Sequence, residues 1–185
     1  MTRAVFLDRD GVINRKAPEG QYITRWEDFQ LLPGVVEGIA ELNRAGMRVI
    51  VVTNQRCVAK GLLSETELNG LHAKMSEELA HAGARIDAIF YCPHGLDAAC
   101  DCRKPAPGML LAAARRHDLD LAASWMIGDS ASDIQAGRAA GCRTIQVLEN
   151  SSTETGNGPM PTVDAEIIAA SLTDAVHQIL RASKS

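Results

Sequence analysis

Asp8-Arg9-Asp10-Gly11 sets two carboxylates two residues apart, directly behind the apolar run Arg3 to Leu7. If the chain bends at Gly11, both can face one pocket. There, paired carboxylates can divide nucleophilic attack and proton transfer between them. The same four residues would also suit a calcium loop or an ordinary polar turn. Other reactive types recur where apolar runs stop. Thr53-Asn54 closes the run MRVIVV, Lys104-Pro105 opens a later helical unit, and Gly128-Asp129 follows Ser124 to Ile127, with Asp133 four residues further on.

A second group of residues has metal-ligand spacing. Cys92-Pro93-His94, five residues, then Cys100-Asp101-Cys102 put three thiols and one imidazole within eleven positions. Three Cys and one His form a closed tetrahedral Zn²⁺ site with no open position, so such a metal is structural. The bland alternative is three ordinary cysteines in a loose loop. The next residues are Arg103 and Lys104, so zinc here would hold two cations in place instead of leaving them to be ordered at each binding event. Of the other cysteines, Cys142 fits a core position and Cys57 lies near Thr53 without an evident task. His72, His81, His117 and His177 fall in helical segments and read as packing or surface.

The elements that must carry these residues alternate. Strand-like runs are Arg3 to Leu7, Met47 to Val52, Ile86 to Tyr91, Ser124 to Ile127 and Arg143 to Leu148. Helical patterns cover Val35 to Ala45, Ser64 to Ala82, Pro107 to His117, Ser132 to Ala140 and Leu172 to Ala182. Ser64-x-x-Glu67 is a capping-box signature. Near-continuous β-branched runs between amphipathic helices predict an α/β fold, a doubly wound, Rossmann-like and mostly parallel sheet. Ligands of such sheets lie beyond the carboxyl ends of the strands, where Asp8, Asp10, Thr53, Asn54 and Asp129 fall. Residues 150–162 read as a surface loop, and residues 1–185 as a single domain.

Bulk properties narrow the partners. The chain of 185 residues is 46% hydrophobic and 4% aromatic, with a formal net charge of -4. That balance gives no footprint for nucleic acid. No apolar run approaches the ~18 residues of a membrane span, and the N-terminus lacks a signal-peptide pattern. The expectation is a cytoplasmic protein acting on a small molecule.

DRDGxIN, TNQ, CxH…CxCRKP and GD, in this order over residues 3–148, resemble the four motifs of the haloacid dehalogenase superfamily. Within it they resemble the branch that holds the heptose 1,7-bisphosphate 7-phosphatases and the histidinol-phosphate phosphatases. The resemblance implies a fold without a large cap domain, with a zinc-stapled loop at 92–102. It also implies a Mg²⁺-dependent phosphatase in which Asp8 attacks phosphorus and Asp10 moves the protons. Thr53 and Lys104 would hold the transferring oxygens, and Asp8, the Asp10 carbonyl and Asp129 would hold Mg²⁺. Asp133 would orient Lys104 or a metal-bound water, or simply cap its helix. Asn54, Gln55, Arg56 and Arg103 would contact substrate. Arg103 stands first for recognition beyond the reacting phosphate and Arg56 second, while Arg9 should turn away from the pocket. The favoured substrate is a heptose bisphosphate losing its 7-phosphate, with histidinol phosphate as the alternative.

Two departures stand out. Arg56-Cys57 replaces the Ser-Gly common after TNQ, and Ser130 stands where some members carry Lys. A polynucleotide 3′-phosphatase would need a basic groove. A sugar-phosphate mutase would need a cap to exclude water. A catalytically dead zinc module would have no use for the intact Asp8, Asp10, Thr53, Lys104 and Asp129 set. The uncapped, acidic chain is expected to be a monomer.

Overall fold

The computed structural model describes residues 2–148 and 164–183. Its strands are β1 (Ala4–Leu7), β2 (Arg48–Asn54), β3 (Ala88–Cys92), β4 (Trp125–Gly128), β5 (Arg143–Val147) and β6 (Ile167–Ala169). Its helices are α1 (Val35–Arg44), α2 (Glu65–His81), α3 (Gly108–His117), α4 (Ala131–Ala140) and α5 (Leu172–Ala182). All pairings are parallel, in the order β3-β2-β1-β4-β5-β6. This is the doubly wound order, with its topological switch between β1 and β4.

The strands are apolar on both faces because both faces are covered. Val5, Leu7, Val49, Val51 and Ile127 pack with α1, α2 and α5 on one side. Ala4, Phe6, Ile50, Val52 and Met126 pack with α3 and α4 on the other. All four β1 side chains are fully buried. Burying Val5, Phe6 and Leu7 stabilises the fold by ~1.5–3 kcal/mol each, and Phe6→Ala would cost ~3–5 kcal/mol through the cavity it leaves.

Helix ends follow the sequence signals. Ser64 and Glu67 close the expected capping box on α2. Gly141, at φ 85°, ends α4 in the left-handed conformation that favours glycine.

The register positions the site. Leu7 pairs with Val51 of β2 and Ile127 of β4. Asp8, one residue on, therefore lies level with Val52 and Gly128, just short of Thr53 and Asp129. Asn54 pairs with Cys92, so the end of β3 carries the first zinc-loop residue alongside.

The observed elements differ from expectation in three places. β3 begins only at Ala88, because Asp87 spends its carboxylate on the Val49 N–H (2.8 Å), Arg48 (2.7 Å) and Arg85 (2.6 Å). A short sixth strand and a 3₁₀ turn at Trp26–Asp28 were not anticipated. The surface loop expected at 150–162 lies outside the described residues. No helix among the described residues is long and apolar enough to cross a membrane.

Candidate active site

Asp8 leaves β1 while its N–H still donates to the Ile127 carbonyl at 3.0 Å. The chain then folds back within four residues. Asn14 N–H reaches the Arg9 carbonyl at 3.0 Å, and Gly11 N–H reaches the Asn14 carbonyl at 2.7 Å. Gly11 has φ +92°, and a Cβ there would run into the Asp129 carboxylate. Only glycine both adopts that backbone and leaves the space. The bend presents the Asp8 carboxylate to the sheet's carboxyl end, where its Oδ1 accepts from the Arg9 N–H at 2.7 Å.

Lys104 is the electrostatic centre. Its ammonium is 2% exposed and donates to three acceptors: Asp8 at 2.8 Å, Asp133 at 2.6 Å and the Val52 carbonyl at 2.8 Å. These satisfy all three of its N–H bonds. Burial opposes its charge, but Asp133 and then Asp8 outweigh that and raise its pKa. Asn54 grips the same residue by its main chain, accepting from Lys104 N–H and donating to Lys104 C=O, each at 3.0 Å. Asp133 performs both of the roles read as alternatives. One oxygen holds Lys104, while the other accepts from Ser130 N–H (3.1 Å) and Ser130 Oγ (2.6 Å), capping α4. Its close approach depends on Gly128, where a Cβ would collide with the Asp133 side chain.

The Asp8 pKa is raised from 3.8 to about 7, first by burial, then by Asp133, with Lys104 pulling the other way. A second cation beside Lys104 would favour the ionised form of Asp8, and the surroundings suit one. Asp8, Asp129 and Asp133 bring carboxylate oxygens within 4.8 Å of one another. Since Asp133 serves Lys104 and the helix cap, Asp8 and Asp129 remain as hard oxygen donors of the kind Mg²⁺ selects. The Lys16 ammonium pairs with the Asp129 carboxylate, so the same spot already attracts positive charge.

Asp10 is held differently. Its Oδ1 accepts from Asn14 Nδ2 at 2.9 Å and its Oδ2 from Gln55 Nε2 at 2.9 Å. Arg9 spans both oxygens, at 3.0 and 3.1 Å from its NH2 group. Burial raises the Asp10 pKa, but Arg9, Asn14 and Gln55 together bring it below its ordinary value. Gln55 also donates to the Thr53 hydroxyl at 2.9 Å, which ties Asp10 to the end of β2. Arg9 is 1% exposed and folded inward against Asp10, where strand alternation had placed it facing away. The alternation fails because β1 ends at Leu7 and Arg9 already belongs to the bend. His72, given no role from sequence, is buried beside Arg9.

Cys92, His94, Cys100 and Cys102 converge as their spacing suggested. A tetrahedron with Zn–S bonds of ~2.3 Å and a Zn–N bond of ~2.0 Å has S···S edges of ~3.8 Å and S···N edges of ~3.5 Å. The separations are 3.8 Å for Cys92 to Cys100, 3.5 Å for Cys92 to His94 Nδ1 and 3.2 Å for His94 Nδ1 to Cys102. The donor set fits a zinc ion held through Nδ1. The loop is anchored beside the reactive residues: Gln55 N–H donates to the Cys92 carbonyl at 2.8 Å, and Ala59 N–H to the Pro93 carbonyl at 3.2 Å.

A cavity of about 280 Å³ adjoins Asp10, lined by Lys16, Glu19, Tyr22, Asn54, Gln55 and Arg56 among others. Arg56 Nε donates to Tyr22 Oη at 2.9 Å, and Lys60 lies 5.3 Å from the same ring. Arg56 thus joins the flap at 16–23 to the turn after β2. Arg103 does not line this cavity. It donates to the His94 carbonyl at 3.4 Å and so sits on the zinc loop.

A family model described as HAD-hydrolase-like matches residues 101–175. The D-glycero-beta-D-manno-heptose-1,7-bisphosphate 7-phosphatase of Vibrio cholerae is 39% identical over 188 residues, covering 98% of both chains. The protein of that name from Pseudomonas aeruginosa is 40% identical over 162 residues, covering 87% of this chain and 90% of that one. Among solved structures, the D,D-heptose 1,7-bisphosphate phosphatase from Bordetella bronchiseptica, complexed with magnesium and phosphate, superposes with a TM-score of 0.85. It is 38% identical and the match covers 98% of this chain and 99% of that chain.

Proposed function

The chain belongs to the D-glycero-beta-D-manno-heptose-1,7-bisphosphate 7-phosphatase family of haloacid dehalogenase-like hydrolases, and on that premise we propose that it removes the 7-phosphate of a heptose 1,7-bisphosphate through an aspartyl-phosphate on Asp8. The observation that carries the reading is the buried Asp8 carboxylate, bonded to Lys104 at 2.8 Å, with Asp10 fixed two residues away.

In the first step an Asp8 oxygen forms a bond to phosphorus. The bond to the sugar oxygen breaks, and Asp10, ionised in the free protein but protonated as the phosphate dianion settles beside it, gives that oxygen the proton. In the second step Asp10 takes a proton from water, the water oxygen attacks phosphorus, and the Asp8 carboxylate leaves. Lys104 and the Thr53 hydroxyl stabilise the equatorial oxygens, where charge is concentrated. Asp8, Asp129 and the Asp10 carbonyl would hold magnesium, which would supply the positive charge that lets two anions approach. Asn54 positions Lys104 from behind, and Gln55 positions Asp10 and Thr53. Arg56 and Arg103 are the cations available to the rest of the substrate, with Arg56 lining the cavity.

Zinc on Cys92, His94, Cys100 and Cys102 is structural and stiffens the segment that delivers Lys104. The whole chain acts as one catalytic domain, a cytoplasmic monomer working on a small phosphorylated metabolite. Initial rates on heptose 1β,7-bisphosphate, its 1α anomer and histidinol phosphate test the assignment. A sugar bisphosphate should be turned over fastest. A preference for histidinol phosphate would overturn the substrate while leaving the chemistry.

A further inference from the structure

Among the described residues, Arg9 is the largest fully buried side chain, at 1% exposed. A guanidinium sealed from water needs an acceptor for each N–H bond. Toward the site, its NH2 and Nε groups serve Asp10 at 3.0–3.3 Å, and NH2 also reaches Gln55 Oε1 at 3.2 Å. On the far side, NH1 meets His72 Nε2 at 3.1 Å. Guanidinium only donates, so Nε2 must be the acceptor and the imidazole proton lies on Nδ1. His72 sits on α2, is 4% exposed, and has its ring 5.7 Å from that of Tyr91. Burial first, then Arg9, lowers its pKa to about 3, so it remains a neutral acceptor at any working pH. The Phe29 ring lies 5.9 Å from the guanidinium carbon and limits the planes it can adopt.

We propose that His72 is a positioning residue. It fixes the plane of the Arg9 guanidinium, and through Arg9 the orientation from which Asp10 gives and takes the catalytic proton. Arg9 contacts both oxygens of Asp10, so turning one group turns the other. Remove the acceptor on NH1 and the buried guanidinium reorients to satisfy that bond, taking the carboxylate with it. Gln55 and Asn14 each hold one oxygen of Asp10, but neither defines the plane as the two-oxygen contact does. A helix on one face of the sheet, 63 residues along the chain, thereby sets the geometry of the acid–base group. This inference rests on Asp10 being that group.

The test uses His72→Leu, which removes the acceptor, and His72→Gln, whose Oε1 can replace Nε2. Asp10→Asn is the reference. Two substrates differ in their need for acid: a sugar phosphate, whose alkoxide must be protonated, and p-nitrophenyl phosphate, whose leaving group need not be. With magnesium present, His72→Leu should lower kcat on the sugar phosphate about tenfold, as loss of an orienting partner typically does, with KM little changed. The first turnover of p-nitrophenyl phosphate should lose much less. Phosphorylated Asp8 should then accumulate, because Asp10 also activates the water. His72→Gln should recover most of the loss. Equal losses on both substrates, a Gln variant no better than Leu, or unchanged kcat in folded His72→Leu would overturn the proposal. If Leu prevents folding, His72→Met keeps the volume with only a weak acceptor and is read the same way. If Asp10→Asn itself turns over the sugar phosphate, the reading of Asp10 has failed. If Asp10→Asn is crippled while His72→Leu is not, the role of His72 alone is gone.

Discussion

Replacing Asp133 by Asn removes one charge and one atom's worth of acceptor from a side chain that is 0% exposed and has two tasks. An amide cannot do both. If its oxygen stays with Lys104, its NH₂ group faces the Ser130 N–H, and the helix cap becomes a clash of donors. If it flips, Lys104 loses its 2.6 Å partner. A hydrogen bond to a buried charge is worth ~1.5–3 kcal/mol, and a lost N-cap ~1 kcal/mol. The sum is roughly 2.5–4 kcal/mol. At ~2–4 °C per kcal/mol for a chain of this size, thermal melting should fall by about 5–16 °C. Lys104 would then have Asp8 as its one charged partner beside the Val52 carbonyl, tying up the nucleophile, so kcat should fall by roughly ten- to a hundredfold. Ser130→Ala removes the Ser130 Oγ bond to Asp133 while leaving the main-chain cap and Lys104 alone, and should cost about 1 kcal/mol with kcat within a few-fold. Melting curves and steady-state rates on the pair decide the matter. An Asp133→Asn protein that melts within 2 °C of the parent and keeps its kcat would refute the coupling of cap and lysine.

Protein purified without chelator should carry one tightly held zinc per chain by elemental analysis, and Cys100→Ser should lower both zinc content and melting temperature. Asp8 is raised from 3.8 to about 7 in the absence of a divalent cation. Its contribution to stability is therefore fully present below about pH 3.8 and is lost as pH rises through about 7. Magnesium must displace the proton at pH 5.5 but not at pH 8, so it should raise the melting temperature more at pH 8, and calorimetry at pH 5.5–6 should record proton release on binding. Arg56→Ala should reduce kcat/KM on the sugar bisphosphate by roughly ten- to a hundredfold, the worth of a charge-assisted bond. It should barely change hydrolysis of p-nitrophenyl phosphate. Arg103→Ala, whose guanidinium bonds to the zinc loop, should show the smaller difference between the two substrates.

The sheet was legible because parallel strands covered on both faces are written as unbroken apolar runs, such as Val49 to Val52, and those runs end where the reactive side chains begin. The convergence of Cys92, His94, Cys100 and Cys102 was legible from spacing alone. Other features depend on the third dimension. Ile167–Ala169 is a three-residue edge strand of which only Ala169 is buried, too little for any periodicity to register. Asp133 carries a capping signal and a charge role in the same carboxylate, and only the approach permitted by Gly128 lets both operate. Arg9 was misread, and the contact that the buried His72 makes with it was not foreseen. Alternation holds within a strand and not in the bend that follows it, and a lone histidine on a helix gives no hint of a buried guanidinium 63 positions away.

The mechanism turns on a covalent phosphoryl group on Asp8. Rapid acid quench of a single turnover, followed by mass spectrometry of the peptide spanning Arg3 to Arg15, tests it directly. The peptide should show a transient gain of one phosphoryl group, located on Asp8 and absent from Asp8→Asn protein, with Asp10→Asn slowing its decay. Phosphate appearing at the full rate with no phosphorylated peptide at any time, or a phosphoryl group carried on another residue, would contradict it.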